Sequence, residues 1–168
     1  MLEQGIRLYG DPCRECGFTW SMSQADAEVV LAEIPGRMRT ALAGSDGTAR
    51  HPDLTWTAAA YICHVGDNLR IYTERMAGAA AGAQAPITEY DQNELADARR
   101  YNVVPSVTAL WALERAAGDW QTAVALCEPQ TTLTFDDGVT AVVGEVVLRT
   151  THDAHHHVWD VERSVGSV

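Results

Sequence analysis

The sequence predicts an all-α protein: a four-helix bundle with long loops and an N-terminal arm over residues 1–20. Two observations support this fold class. Apolar residues recur at helical spacing in four long stretches, and no alternating strand pattern repeats along the chain. A chain of 168 residues is also long enough to bury a hydrophobic core, so we expect a single domain spanning residues 1–168.

The first two long helices are expected to follow the arm. Ser21 and Gln24 have the spacing of a capping box, and Pro35 should kink or interrupt the helix that begins there. The apolar positions of this helix are Val29, Val30, Ile34, Met38 and Leu42. A second helix is predicted from about Leu54 to Met76, and a flexible connection rich in Ala and Gly follows it over residues 78–86.

The second half of the chain predicts two more helices with a short excursion between them. Asp91 and Glu94 form another capping-box pair, and Pro105 stands where a helix can begin. Apolar residues then recur at helical spacing at Val107, Leu110, Leu113, Ala117, Trp120 and Val124. The threonine-rich segment 131–138 ends in Asp-Gly and indicates an extended segment or a small hairpin. The last helix is expected from about Val139 to Arg163.

Charge and composition exclude several classes of partner. The formal net charge of −11 argues against nucleic acids and against anionic membranes, because both require a basic surface. No stretch has the pattern of a signal peptide, and no apolar run is long enough to span a bilayer. We therefore expect a cytoplasmic protein whose four cysteines are free thiols.

A cluster of histidines near the C-terminus is the strongest chemical signal. Of the six histidines in the chain, four lie at His152, His155, His156 and His157, and His64 lies far upstream in the predicted second helix. Neutral imidazole is the commonest metal ligand in proteins, and a carboxylate can complete such a set.

Helical geometry selects which members of the cluster face inward. At about 100° per residue, one mostly apolar stripe contains Val139, Val143, Val146, Thr150, Asp153, His157 and Val161. The register of His152 and His156 also contains the charged residues Glu145, Arg149 and Arg163 and is expected to face solvent. In the second helix, His64 is predicted to face inward. His64, Asp153 and His157 would then form a three-ligand metal site with open coordination positions, as catalytic sites have.

Other polar residues are weaker candidates. Asp67 and Asp160, each one turn after a candidate histidine, could orient the imidazole rings as hydrogen-bond acceptors. Arg99 could clamp a carboxylate of a substrate. Cys13-x-x-Cys16 matches half a zinc site, a redox pair or two structural thiols. A complete zinc site would need further ligands, and the chain has no second Cys-x-x-Cys.

The two helices that carry the candidate ligands resemble those of the DinB-like (DinB/YfiT) superfamily. The resemblance rests on Tyr61-Ile62-Cys63-His64-Val65-Gly66-Asp67 and on His152-Asp153-xxx-His157-Val158-Trp159-Asp160, and the second motif is most similar to the mycothiol-dependent maleylpyruvate isomerases. It implies a four-helix bundle, metal ligands at His64, Asp153 and His157, and a divalent metal, often zinc or nickel. It also implies homodimer formation in many members.

Aspartate at position 153 departs from the family, which commonly has glutamate or histidine there. This departure leaves His152 and His156 as an alternative pair of ligands. The resemblance further implies a low-molecular-weight thiol as co-substrate. The chain contains arginine but no lysine, and this composition fits an actinobacterial host. In such a host, mycothiol would be the expected low-molecular-weight thiol.

Three functions follow as expectations. The first is a metal-dependent thiol S-transferase or thiol-assisted isomerase, with Asp160 and Arg99 in its active site and a small electrophilic molecule as substrate. The second is a DinB-like metal-binding protein without turnover. The third is a thiol-independent metal enzyme of specialised metabolism, such as an epimerase or cyclase.

Overall fold

Helices dominate the computed structural model, which describes residues 2–83 and 85–166. The four long helices are α2 (Gln24–Ala41), α3 (Ala58–Ala80), α5 (Ser106–Ala125) and α6 (Val143–Ser164). The shorter elements are α1 (Leu2–Tyr9), α4 (Gln92–Ala98), a 3₁₀ turn (Tyr101–Val103), β1 (Thr132–Thr134) and β2 (Thr140–Val142). The predicted four long helices are confirmed, and none of the described helices is long and apolar enough to cross a membrane.

Each of the four long helices packs against two of the others. Helix α3 packs against α5 and α6, and α2 packs against α6 and α5. The core contains fully buried side chains from all four long helices: Leu31, Ile34, Met38, Ile62, Leu69, Met76, Leu113, Trp120, Val146, Val158 and Val161. Burial of this apolar surface is the main force that holds the helices together.

The start of α2 corrects the sequence prediction. Ser23, not Ser21, is the N-cap, and its hydroxyl accepts a hydrogen bond from the backbone N–H of Asp26 at 3.1 Å. Pro35 is buried inside α2, and the helix continues through it. The neighbouring core residues Ile34 and Met38 are fully buried, which offsets the hydrogen bond that proline cannot make.

The other helix boundaries follow their capping signals more closely. Helix α3 begins after Thr57, whose hydroxyl accepts from the N–H of Ala60, and therefore starts later than predicted. Asp91 caps α4 by accepting from the N–H groups of Asn93 and Glu94, as predicted. Pro105 directly precedes α5. Within the predicted flexible connection over residues 78–86, Gln84 lies outside the described residues.

A small hairpin confirms the excursion predicted over residues 131–138. Strands β1 and β2 pair antiparallel, with Leu133 opposite Ala141 and both side chains buried. Gly138 takes a positive φ of +85° in the connecting turn, a conformation that glycine adopts without strain. Because β2 uses Thr140–Val142 for pairing, α6 begins at Val143 and not at Val139 as expected.

The N-terminal arm is less polar in its packing than its sequence suggests. Cys13, Phe18 and Trp20 are all buried, and α1 contacts α6. Gly5 lies directly on Trp20, because a Cβ atom at this position would come within 2.5 Å of the indole ring. The arm therefore docks onto the face of α6 that carries His152 and His156.

Candidate metal centre

His64 of α3 meets Asp153 and His157 of α6 where these two helices pack together. The Nε2 atom of His64 lies 3.6 Å from Oδ2 of Asp153, and Nε2 of His157 lies 3.7 Å from Oδ1 of the same carboxylate. The two imidazole rings stand perpendicular to each other, with centroids 4.9 Å apart. One potential ligand atom from each residue lies within 4.8 Å of the others.

The burial of His64 is unusual for a polar side chain. The residue is 2% exposed, yet neither ring nitrogen has a hydrogen-bond partner among the residues that the structure describes. Burial of a polar nitrogen without a partner costs free energy, so a native protein normally supplies one. The Asp153 carboxylate lies just beyond hydrogen-bond distance of Nε2.

Neighbouring polar groups hold the two α6 side chains in place. Asn68 donates to Oδ2 of Asp153 at 2.6 Å, and Nδ1 of His157 lies 2.7 Å from Oδ2 of Asp160. Arg163 donates to the other oxygen of Asp160 at 2.7 Å. Since an ionised carboxylate only accepts, Nδ1 of His157 is the donor, and Nε2 is left facing Asp153.

The pKa values of these groups reflect the same contacts. Burial raises the pKa of Asp153, but the facing His157 and His64 outweigh it, so the net pKa is lowered. Burial likewise opposes ionisation of Asp160, and the hydrogen bonds from His157 and Arg163 shift its pKa below the usual value. Both carboxylates are therefore anionic near neutral pH.

Asp67 and Arg99 lie apart from this group of three. The expectation that Asp67 orients His64 is wrong, because its carboxylate accepts from the hydroxyl of Tyr101 at 2.5 Å and pairs with Arg99 at 3.0 Å. Both residues line a separate cavity of about 370 Å³ on the α5 side of α3. The structure does not bring Arg99 to His64, Asp153 and His157.

A polar cavity of about 380 Å³ opens beside His64 and Asp153. Its walls include Asn68, Tyr90 and Arg149. Arg149 is half-buried and has no hydrogen-bond or ion-pair partner within residues 2–83 and 85–166. Sequence periodicity assigned this arginine to solvent, and only the tertiary structure places it at the cavity.

The alternative ligands His152 and His156 are not near solvent as expected, and they lie in a different group from His64. His152 is 4% exposed and packs against Trp20 and Tyr9 of the arm, with ring centroids 4.4 and 4.8 Å away. The arm covers His152, whereas the other members of this register are half-buried. His155 contacts the carbonyl oxygen of Cys16 at 3.1 Å and Arg37 at 2.9 Å.

Comparisons with known proteins identify relatives of this fold. Residues 35–161 match the family model described as the DinB superfamily. Among solved structures, YfiT from Bacillus subtilis matches with a TM-score of 0.72 and 17% identity, covering 85% of this chain and 87% of that one. YfiT is described as a probable metal-dependent hydrolase with an unusual four-helix bundle topology. No curated protein matches the chain.

Proposed function

This chain belongs to the DinB superfamily, and from that premise we propose that His64, Asp153 and His157 hold a divalent metal ion for the reaction of a small electrophilic substrate. The observation that carries the proposal is the convergence of three ligand atoms within 4.8 Å beside a polar cavity. Two imidazoles and one carboxylate suit zinc or nickel.

The spacing of the ligand atoms fits a metal ion. Ligand atoms about 2.1 Å from a tetrahedral zinc lie about 3.4 Å from one another. Nε2 of His64 lies 3.6 Å from Oδ2 of Asp153, and Nε2 of His157 lies 3.7 Å from Oδ1. Each oxygen of Asp153 faces one histidine. The aspartate could therefore reach a metal ion between the two rings, although its side chain is shorter than the glutamate of the related isomerases. A metal ion would also give the buried His64 nitrogen the partner it lacks.

Asp160 is proposed to act as a positioning residue. Its carboxylate fixes the ring of His157 through Nδ1, which keeps Nε2 directed at Asp153. We expect Asp160→Asn to lower metal affinity about 10–100-fold, because this loss is typical when an outer partner of a histidine ligand is changed. Competitive titration with a chromophoric chelator measures the affinity.

Glu162→Gln is the matched control for Asp160→Asn. It neutralises a half-buried carboxylate of the same helix whose side chain contacts neither histidine. Equal metal affinity in the two variants, with both apo-proteins folded by circular dichroism, would contradict the role assigned to Asp160.

Arg149 indicates the chemical class of the substrate. A half-buried guanidinium without a carboxylate partner, at the wall of the cavity beside the three ligands, favours an anionic group. We propose that Arg149 binds a carboxylate of the substrate or of the thiol. This assigns to Arg149 the clamping role that the sequence suggested for Arg99.

The substitution Arg149→Met tests the anion site. A hydrogen bond to a charged group contributes about 1.5–3 kcal/mol, so KM for an anionic substrate should rise about 10–100-fold while kcat changes less. Arg115→Met, in the separate cavity beside Asp67, is the control and should leave KM unchanged. A normal KM in Arg149→Met would show that the anion binds elsewhere.

The proposed nucleophile is a low-molecular-weight thiol, with mycothiol as the first choice. The likeness of the α6 motif to the mycothiol-dependent maleylpyruvate isomerases supports this choice. A bound divalent cation would favour the thiolate over the thiol, and the thiolate is the reactive form. Addition of the sulfur to an activated carbon–carbon double bond, followed by protonation, gives a conjugate. Rotation about the resulting single bond and release of the thiolate gives a cis–trans isomer instead.

An assay with and without thiol tests this function. Zinc- or nickel-loaded protein is incubated with activated alkenes that carry a carboxylate, and with mycothiol, bacillithiol or glutathione. We expect a conjugate or an isomer only when both metal and thiol are present. Turnover that needs metal but no thiol would overturn the thiol reaction, and no turnover by fully metal-loaded protein would favour metal binding alone.

Hydrolysis is the second candidate, because YfiT shares the fold and is described as a probable metal-dependent hydrolase. Water would then replace the thiol as the nucleophile at the same cavity. Cleavage of amide or ester substrates in the thiol-free arm of the same assay would favour this function.

A further inference from the structure

A second cluster of metal-ligand side chains joins the N-terminal arm to α6. Cys13 and Cys16 of the arm meet His152 and His156 of α6, and one potential ligand atom from each lies within 4.8 Å of the others. The Sγ atom of Cys13 is 3.9 Å from Nδ1 of His156. We propose that these four residues form a zinc site, which is separate from the centre at His64 and has a structural role.

The chemistry of the four ligands suits structural zinc. Two thiolates and two imidazoles are a common tetrahedral set, and Cys-x₂-Cys with His-x₃-His is the spacing that such sites use. Four protein ligands close the coordination sphere, whereas His64, Asp153 and His157 leave positions open. The sequence has no second Cys-x-x-Cys motif to complete the site. The two missing ligands, His152 and His156, come from α6, which also carries two residues of the first centre.

Burial of the cluster gives independent support. Cys13 is 3% exposed and His152 is 4% exposed, and Phe18 and Trp20 pack around the His152 ring. Nε2 of His152 is buried and has no hydrogen-bond partner in the described part of the chain. An imidazole that groups with two cysteines and has a buried, unpartnered nitrogen is a site that a soft divalent cation would satisfy.

An outer carboxylate orients one ligand. Oε2 of Glu15 lies 3.4 Å from Nε2 of His156, on the opposite side of the ring from Cys13. An N–H directed at this carboxylate leaves Nδ1 free for the metal, which is the usual arrangement of a histidine ligand and its partner. Glu15 lies between the two cysteines in sequence, so one short loop supplies three of the contacts.

The proposed site would fix the arm against the catalytic cavity. Tyr9, Trp20 and His152 all line the cavity of about 380 Å³ beside His64. Zinc bound to the arm and to α6 would therefore hold one wall of that cavity in place. Zinc would bind only the docked arm and would therefore stabilise the docked state. Removal of zinc should release residues 1–20 from α6.

Metal analysis under reducing conditions tests the second site. In the double variant His64→Ala/His157→Ala, we expect one zinc ion per chain to remain, and cobalt in its place should show a thiolate-to-metal charge-transfer band. The variant Cys13→Ser/Cys16→Ser should lose this ion and this band but keep the ion of the first centre. Cys63→Ser/Cys127→Ser is the matched control and should keep both ions.

A second measurement uses the unaltered protein, in case the cysteine variant does not fold. Zinc should protect Cys13 and Cys16 from alkylation, while a chelator should expose them and speed tryptic cleavage after Arg7 and Arg14 in the arm. The absence of a thiolate band in fully reduced, cobalt-loaded protein would overturn the proposal, as would a Cys13–Cys16 disulfide in protein purified with its metal. Loss of one of the two zinc ions in His64→Ala/His157→Ala removes the first centre only, whereas loss of both ions from this folded variant would also overturn the second site.

Discussion

His64→Ala is expected to remove the metal from the proposed His64–Asp153–His157 centre and to reduce turnover below detection. The substitution takes away the only α3 ligand of the proposed set, so Asp153 and His157 would have to hold the ion from a single helix. Changes to outer partners already lower metal affinity about 10–100-fold, and loss of a direct ligand should cost more. Metal content after dialysis and the thiol-dependent assay measure the two effects.

His51→Ala is the control for His64→Ala. His51 lies in the loop before α3, and its partner Asp53 is 3.8 Å away at the surface. This variant should keep its metal and its activity. A His64→Ala protein that is folded and retains the ion of the first centre, or retains full turnover, would contradict the proposed ligand set.

Trp120→Ala is expected to lower the free energy of unfolding by about 3–5 kcal/mol, the usual cost of truncating a buried aromatic residue. Trp120 is 0% exposed and packs on the inner face of α5, so the substitution leaves a cavity among the four long helices. Urea unfolding followed by circular dichroism measures the change.

Trp120→Phe separates the loss of packing from the loss of the indole N–H. That N–H is buried and has no hydrogen-bond partner among the described residues, so its removal breaks no hydrogen bond described in the structure. We expect the phenylalanine variant to be much closer to the parent protein than the alanine variant. Equal stability of Trp120→Ala and the parent would contradict the packing of α5 described above.

The bundle and the first group of three could be predicted because they depend on local periodicity. One stripe of α6 carries Val143, Val146 and Val161 into the core, and the same stripe carries Asp153 and His157 towards α3. The position of His64 on α3 follows from the same reasoning. The capping role of Asp91 could also be predicted, because its side chain accepts hydrogen bonds from backbone N–H groups only two and three residues away.

The environment of the neighbouring stripe could not be predicted from α6 alone. His152 and His156 share a register with the charged residues Glu145 and Arg149, which indicates solvent on a helical wheel. In the structure the arm folds back and buries His152 of this stripe under Phe18 and Trp20. A contact between residues about 140 positions apart leaves no periodic signal. The Cys-x-x-Cys motif was the one local sign that the arm could have a partner.

Helix α6 contributes two residues to each of the two groups of candidate metal ligands. His152 directly precedes Asp153, and His156 directly precedes His157. Two stripes of α6 about 100° apart therefore carry the two proposed sites. One stripe faces α3 and the open cavity, and the other faces the arm. A single helix would thus fix the distance between the two proposed metal ions.

Anomalous diffraction from crystals of zinc-loaded protein tests the central claim most directly. We predict a zinc peak between Nε2 of His64, the Asp153 carboxylate and Nε2 of His157, within bonding distance of all three residues. A second peak beside Cys13 and His152 would belong to the structural site. Fully zinc-loaded crystals without a peak among His64, Asp153 and His157 would contradict the proposed catalytic centre, whatever is bound at the arm.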